Sequence, residues 1–180
     1  NGAAGAGMTA AKVVVLKTRP GSVLEDFRRL LEMADYQKAI PRGGDIILKL
    51  NLSWTKYFPA CSSEPWQVEG VVKTLIEDGY PRQRLIPVEN KTVVTNPRLG
   101  AINNKWHGIM DRYGLRFIAL PEVKWVKYKF RGKLLVLDRL FPQGIEIPEL
   151  LIGRDIIHLP TMKTHGHSIT TGAVKNAFGG

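Results

Sequence analysis

The residues best suited to chemistry lie close together near the C-terminal end of the sequence. Between residues 158 and 176 the chain carries three of its four histidines, two lysines, an asparagine and five hydroxyl side chains. A hydrophobic core does not need so many hydrogen-bond donors, so this segment is predicted to be a binding or catalytic site. His165 and His167 could transfer protons near neutral pH, where imidazole titrates, with Lys163 beside them. His158 lies in an apolar strand-like run and fits a core histidine better than a site residue.

Groups that attract anions accompany these histidines. A helix is predicted to begin at Ala173, and free backbone N–H groups at a helix N-terminus favour negative charge. Thr170 and Thr171 precede this helix, and Lys175 lies in its first turn. These residues predict an anion pocket; the alternative is a polar loop whose hydroxyl groups satisfy only its own backbone.

Two further groups lie where other predicted strands end. Lys49 and Asn51 lie at the end of the second predicted strand, and Glu89 lies at the end of the third. The carboxyl ends of parallel strands share one edge of a sheet, where ligands bind, so these groups are expected near the histidines. With His165 and His167, Glu89 could ligate a metal, although a His-x-His pair without a visible third ligand is a weak metal signal. The alternatives are a snorkelling lysine, a turn asparagine and an exposed loop carboxylate.

The elements that must position these residues alternate between strands and helices. Short apolar or β-branched runs predict strands at residues 12–17, 45–50, 84–89, 115–120 and 155–159. Apolar residues at helical spacing predict a helix opened by a capping box at Ser22, a second from Pro65 and a third near residues 102–113. This order predicts an α/β fold, with a mostly parallel sheet and flanking helices. Pro87 predicts that its strand lies at an edge of the sheet or ends there.

An inserted antiparallel β-hairpin is predicted to interrupt this order at about residues 123–140. Two strand-like arms, 124–130 and 133–140, flank the turn residues Arg131 and Gly132. Lys127 and Lys129 share one face of the first arm. Basic and aromatic residues together can bind nucleic acid, although such a pattern is more often a solvated face.

Composition narrows the classes of function. The 180 residues carry a net charge of +10, which favours anionic partners. The single cysteine, Cys61, cannot form an internal disulfide, suits a reducing compartment, and cannot build an iron–sulfur cluster within this chain. No apolar run is long enough to span a membrane. Residues 1–11 are predicted to be a flexible tail or a cloning remnant, and residues 12–180 a single α/β domain, truncated at its C-terminal end.

Three parts of the sequence resemble the prokaryotic family called DUF362, over roughly residues 13–180. They are Lys49-Leu-Asn51, the helix after Glu64-Pro65 and, most specifically, Leu159-Pro-Thr-Met-Lys163-Thr-His165 with Thr171-Gly-Ala-Val-Lys175-Asn176-Ala-Phe-Gly179. Many members carry a ferredoxin-like iron–sulfur segment beyond the shared domain, so the resemblance implies a redox or cofactor-linked enzyme. By position, it assigns the family's lysine–histidine and lysine–asparagine pairs to Lys163, His165, Lys175 and Asn176. The cluster cysteines are absent here, so the resemblance does not carry an iron–sulfur cofactor to this chain.

These observations predict a cytoplasmic α/β domain with a cationic pocket at the strand ends. The pocket would bind an anionic small molecule or cofactor, and His165, helped by His167 and Lys163, would transfer a proton in a reaction whose type stays open and includes redox-linked chemistry. The residues predicted to hold the ligand are Lys49, Asn51, Thr170, Thr171, Lys175 and Asn176. A metal-binding module and a nucleic-acid-binding protein are the alternatives; the oligomeric state is left open.

Overall fold

The computed structural model describes residues 11–178. The predicted tail falls almost entirely outside this range, as do Gly179 and Gly180 at the end of the DUF362-like motif. None of the helices in the described range is long and apolar enough to cross a membrane.

A four-stranded parallel sheet forms the centre of the fold. Its strands are β1 (Ile46–Lys49), β2 (Leu85–Glu89), β3 (Ile118–Ala119) and β6 (Asp155–His158), in the spatial order β3-β2-β1-β6. All three pairings are parallel, which confirms the predicted sheet. Two small antiparallel ribbons complete the strands: β4 (Trp125–Tyr128) with β5 (Ile145–Pro148), and β7 (Lys163–His165) with β8 (Ile169–Thr171).

The four predicted helices are present, one of them divided in two, and two further short helices were not predicted. The helices are α1 (Val23–Met33), α2 (Tyr36–Ala39), α3 (Pro65–Glu77), α4 (Pro97–Asn103), α5 (Trp106–Tyr113), α6 (Leu137–Leu140) and α7 (Ala173–Phe178). The third predicted helix is two helices, because Lys105 adopts a left-handed conformation with φ of 63° between α4 and α5. Asn96 caps α4 by accepting the Leu99 N–H at 3.0 Å.

The core lies on both faces of β1, whose four residues are all buried. Ile46 and Leu48 point towards the larger cluster, where α3 and α5 contribute side chains such as Val72 and Trp106. Ile47 points to the opposite face, where a smaller cluster includes Val88. Burial on both faces explains why β1 is a continuous apolar run.

Several predictions about local structure were wrong. Residues 12–17 form no strand: Val13 and Val15 are 82% and 87% exposed, and no described strand pairs with them. The predicted capping box at Ser22 does not form, because its hydroxyl instead donates to the Asp26 carboxylate at 2.8 Å. The strand that contains Pro87 was predicted to lie at an edge of the sheet or to end there, but β2 has a neighbouring strand on each side. The pairing with β3 begins only at Val88, so the missing N–H of Pro87 removes no hydrogen bond to β3.

The inserted antiparallel hairpin is present, but its second arm lies later in the sequence than predicted. β4 agrees with the first predicted arm, whereas β5 lies at Ile145–Pro148. The predicted second arm instead contains the short helix α6.

Candidate functional site

The candidate site lies where the order of the parallel strands reverses. From β1 the chain moves outward through β2 to β3, and then returns to place β6 on the other side of β1. Lys49, the last residue of β1, is therefore in register with His158, the last residue of β6. Ligands of open α/β sheets bind at such switch points, between loops that leave neighbouring strands in opposite directions.

Lys49 and Glu89 form a buried ion pair on the β1–β2 side of this edge. The Lys49 Nζ lies 2.6 Å from Glu89 Oε1, and both side chains are about 95% buried. The carboxylate also accepts the backbone N–H groups of Leu52 at 2.8 Å and Asn90 at 2.7 Å. Complete burial raises the pKa of Glu89, while the Lys49 ammonium opposes that shift. The two residues predicted near the rim thus satisfy each other's charge.

Lys163 lies on the β6 side, and its ammonium has only neutral acceptors. Its Nζ donates to Asn51 Oδ1 at 2.5 Å and to the Thr161 carbonyl at 3.2 Å. Partial burial lowers the pKa of Lys163, and the Lys175 ammonium adds to this shift, while Cys61 and the Glu89 carboxylate oppose it.

His165 is held by the turn of the β7–β8 ribbon. Its Nδ1 accepts the backbone N–H groups of His167 and Ser168, both at 3.2 Å. These contacts place the proton of the neutral ring on Nε2. Partial desolvation lowers the pKa of His165, and the Lys175 charge adds to the effect. The charges of Lys163 and Lys175 both act on this imidazole, and we call the three residues the cationic cluster: Lys163, His165 and Lys175.

Asn176 joins α7 to the ends of β1 and β6. It is buried, and its Nδ2 lies 3.3 Å from the Lys49 carbonyl oxygen and 3.4 Å from His158 Nδ1. Burial and the Lys49 charge lower the pKa of His158. His158, which the sequence analysis favoured as a core residue, thus lies half-buried at the edge of the site.

Thr170, Thr171 and Lys175 line an open cavity of about 610 Å³ beside the ribbon. Thr171 is buried, whereas Thr170 and Lys175 are exposed. The remaining wall is largely apolar and is formed by Met162, Gly172, Ala173, Val174 and Phe178. Three of the predicted anion-binding residues therefore share one cavity, with apolar side chains next to them.

Two serines, which the sequence analysis did not single out, connect the loops on the two sides of the switch point. The Ser63 hydroxyl accepts the Asn51 N–H at 2.8 Å and donates to the Leu159 carbonyl at 2.6 Å. Thr161 donates to the Ser62 carbonyl at 2.8 Å. These bonds hold the Asn51 loop against the segment that leads to Lys163. Paired serines after a strand are too common to reveal this role from sequence.

The predicted metal ligands are not brought together. Glu89 is engaged by Lys49, and His165 accepts two backbone N–H groups through Nδ1. Within residues 11–178, no group of three histidine, cysteine, aspartate or glutamate side chains has the spacing to hold a metal ion.

A family model described as "Domain of unknown function (DUF362)" matches residues 46–180. The match begins at the first residue of β1 and includes both sides of the switch point. No curated protein and no solved structure matches the chain. The match spans three quarters of the sequence, and the chain belongs to the DUF362 family.

Proposed function

We propose that the chain binds an anionic small molecule or cofactor at the cationic cluster. The observation that carries this proposal is the state of Lys163. Its partly buried ammonium donates only to an amide oxygen and a carbonyl, and no carboxylate in residues 11–178 forms an ion pair with it or with Lys175. Holding like charges together without a counter-ion costs free energy, which a bound anion would recover.

The cavity beside the cluster supports a ligand with two chemical parts. Lys175 and the two threonines offer positive charge and hydroxyl donors, which suit a phosphate or carboxylate group. Met162, Val174 and Phe178 offer an apolar surface next to them. We infer an anion that carries an apolar portion, rather than a bare inorganic ion, as the natural ligand class.

His165 would serve first as a hydrogen-bond donor and then as a proton carrier. In the unliganded cluster its ring is neutral with the proton on Nε2, and a neutral imidazole is a poor acid. A bound anion would offset the Lys163 and Lys175 charges and raise the pKa of His165, so that the ring gains a transferable proton. If the bound molecule is a redox cofactor, His165 is the residue that we propose for its proton transfer.

Native mass spectrometry of the purified chain would identify any anion that co-purifies. Calorimetric titration with inorganic phosphate and with the recovered molecule then tests the cluster directly. We expect Lys163→Ala and Lys175→Ala each to weaken binding by about tenfold or more, since hydrogen bonds to charged groups contribute roughly 1.5–3 kcal/mol.

Lys38→Ala is the matched control, because Lys38 is an exposed lysine on α2, outside the strand-end loops. It should leave the affinity unchanged. Equal affinities of the parent chain, Lys163→Ala and Lys175→Ala for every anion that binds would show that the cationic cluster is not the binding site.

A further inference from the structure

Residues 127–141, which we call the basic–apolar segment, expose large apolar side chains to water. Leu135 is 85% exposed, and four more residues of the segment are exposed to a lesser degree: Phe130, Val136, Leu140 and Phe141. Isolated exposed apolar residues are normal on a protein surface, but five of them within twelve positions are an unusual concentration. Phe130 and Phe141 also line an apolar cavity, which leaves Leu135, Val136 and Leu140 as the side chains most available to a partner.

The same segment is strongly basic. Between residues 125 and 145 the sequence has one acidic residue, Asp138, and five exposed basic residues: Lys127, Lys129, Arg131, Lys133 and Arg139. Asp138 accepts the Leu134 backbone N–H at 2.8 Å, so its carboxylate is already engaged. None of the five basic side chains forms an ion pair within the described residues, in contrast to Lys124, which pairs with Glu149 at 3.0 Å.

Some apolar side chains of the segment line a cavity and others do not. Leu134 and Leu137 are half-buried and, with Phe130 and Phe141, line an apolar cavity of about 590 Å³ whose other lining residues include Ile145, Ile147 and Ile156. Leu135, Val136 and Leu140 do not line this cavity and are exposed. The segment therefore has a second set of apolar residues available to a partner.

The combination of basic and exposed apolar side chains distinguishes between two anionic partners, nucleic acid and an anionic lipid bilayer. Nucleic acid offers phosphates to the basic side chains, and aromatic rings can stack on its bases, but exposed Leu and Val side chains find little to bind there. The surface of a bilayer with anionic lipids offers both a negative potential and an apolar layer just below it. The aliphatic residues at 135, 136 and 140 therefore favour the bilayer.

We propose that the basic–apolar segment docks the protein on the surface of membranes that contain anionic lipids. The basic side chains would provide attraction to the lipid headgroups, and Leu135 and Leu140 would enter the boundary with the acyl chains. The association is peripheral and reversible, since the contact consists of a few side chains. It is independent of the cationic cluster, which lies at the strand ends.

Sedimentation with vesicles tests this proposal. The full chain is mixed with vesicles of pure phosphatidylcholine or of equal parts phosphatidylcholine and phosphatidylglycerol. We expect the chain to bind only the vesicles that contain phosphatidylglycerol, and we expect this binding to weaken as salt is added. The triple variant Lys129→Gln, Arg131→Gln, Lys133→Gln should reduce the partition coefficient by about tenfold or more, because each basic residue near an anionic surface contributes to attraction. Leu135→Ser with Leu140→Ser should reduce it by several-fold.

Two matched controls distinguish binding through the basic–apolar segment from non-specific binding through net charge or exposed apolar surface. Lys17→Gln, Arg84→Gln and Arg116→Gln remove three exposed charges elsewhere. Val13→Ser with Val15→Ser removes two apolar side chains as exposed as Leu135. Both controls should bind vesicles like the parent chain, and circular dichroism should confirm that every variant folds.

Three outcomes would overturn the proposal. The first is no binding to either kind of vesicle. The second is binding that the control variants reduce as much as the segment variants do. The third is an absence of vesicle binding together with one of two activities that the segment variants abolish. These activities are salt-dependent binding to single-stranded DNA and the formation of a dimer in sedimentation velocity. The last result would assign the segment to nucleic acid or to a second copy of the chain.

Discussion

Each side of the switch point contains a lysine, and the two lysines differ in their burial and in their charge partners. On the β1–β2 side, Lys49 is buried and pairs with Glu89 at 2.6 Å, and backbone N–H groups complete the bonds of the carboxylate. On the β6–β7 side, Lys163 is partly buried, pairs with no carboxylate in the described residues and lies near a second ammonium, that of Lys175.

This difference separates a structural charge from a charge available for function. The Lys49–Glu89 pair fixes the loops that begin at residues 50 and 90, because the carboxylate binds the N–H groups of both. Lys163, in contrast, is partly desolvated and donates to only two neutral acceptors, the Asn51 side chain and the Thr161 carbonyl. A fold tolerates such an unmatched charge most readily where a ligand completes it, as at many functional sites.

Breaking the buried pair should produce the largest effect on stability. Glu89→Gln leaves the Lys49 ammonium buried without a counter-charge, so we expect the free energy of unfolding to fall by about 3–5 kcal/mol. Urea denaturation followed by circular dichroism measures this change. Lys163→Ala provides the contrast: it should change the free energy of unfolding by less than about 1 kcal/mol, as for a partly exposed charge.

The double variant Lys49→Met with Glu89→Gln distinguishes the charge from simple packing. It removes both charges, so it should recover much of the stability that Glu89→Gln loses. If Glu89→Gln is no more harmful than Lys163→Ala, the two sides of the edge do not differ as described.

The second prediction concerns proton uptake at the cationic cluster. The neighbouring ammonium groups lower the pKa of His165, and a bound anion should raise it again. Binding of sulfate, whose charge is constant across this range, should therefore take up protons between about pH 5 and pH 7 and strengthen as the pH falls. Calorimetry in two buffers of different ionisation enthalpy counts the protons.

His165→Asn should bind sulfate with nearly no proton uptake in this range, while His107→Asn, on α5, should keep it. An unchanged proton count in His165→Asn would assign the linkage to another group. The anion site itself is tested separately: if the Lys163 and Lys175 variants lose both sulfate and phosphate binding, the site is supported whatever the proton count of His165→Asn.

The sequence predicted the parallel sheet well because its strands are short apolar runs. β1 is buried on both faces and β2 almost entirely, and β6 keeps the apolar pair Ile156 and Ile157 although it is only partly buried. The run at residues 12–17 has the same composition but no partner strand, and local sequence does not record which strands pair. The same limit explains the misplaced second arm of the hairpin, since Ile145–Pro148 resembles a strand less than residues 133–140 do.

The candidate site was only partly predictable, because residue type does not reveal partners. Lys49 and Lys163 both lie at strand ends and looked alike, yet one is neutralised by Glu89 and the other is not. His158 appeared to be a core residue because its strand is apolar. Its half-exposure arises because β6 is an outer strand of the sheet, where its face is less completely covered.

The smallest predicted effect uses His158 to test the contact between the two sides. Burial lowers the pKa of His158 below its ordinary value of 6.5, so the folded chain resists protonation that the unfolded chain accepts. The free energy of unfolding should therefore decrease as the pH falls below about 6.5, until the pH reaches the lower pKa of the folded state. Because this imidazole is only half-buried, solvent screens the effect, and the loss should be the smallest of the predicted changes in stability. Urea titrations at several pH values should show a shallower slope for His158→Gln, whereas Asn176→Ala, which removes the neighbouring amide but keeps the ring, should lower stability and retain the slope.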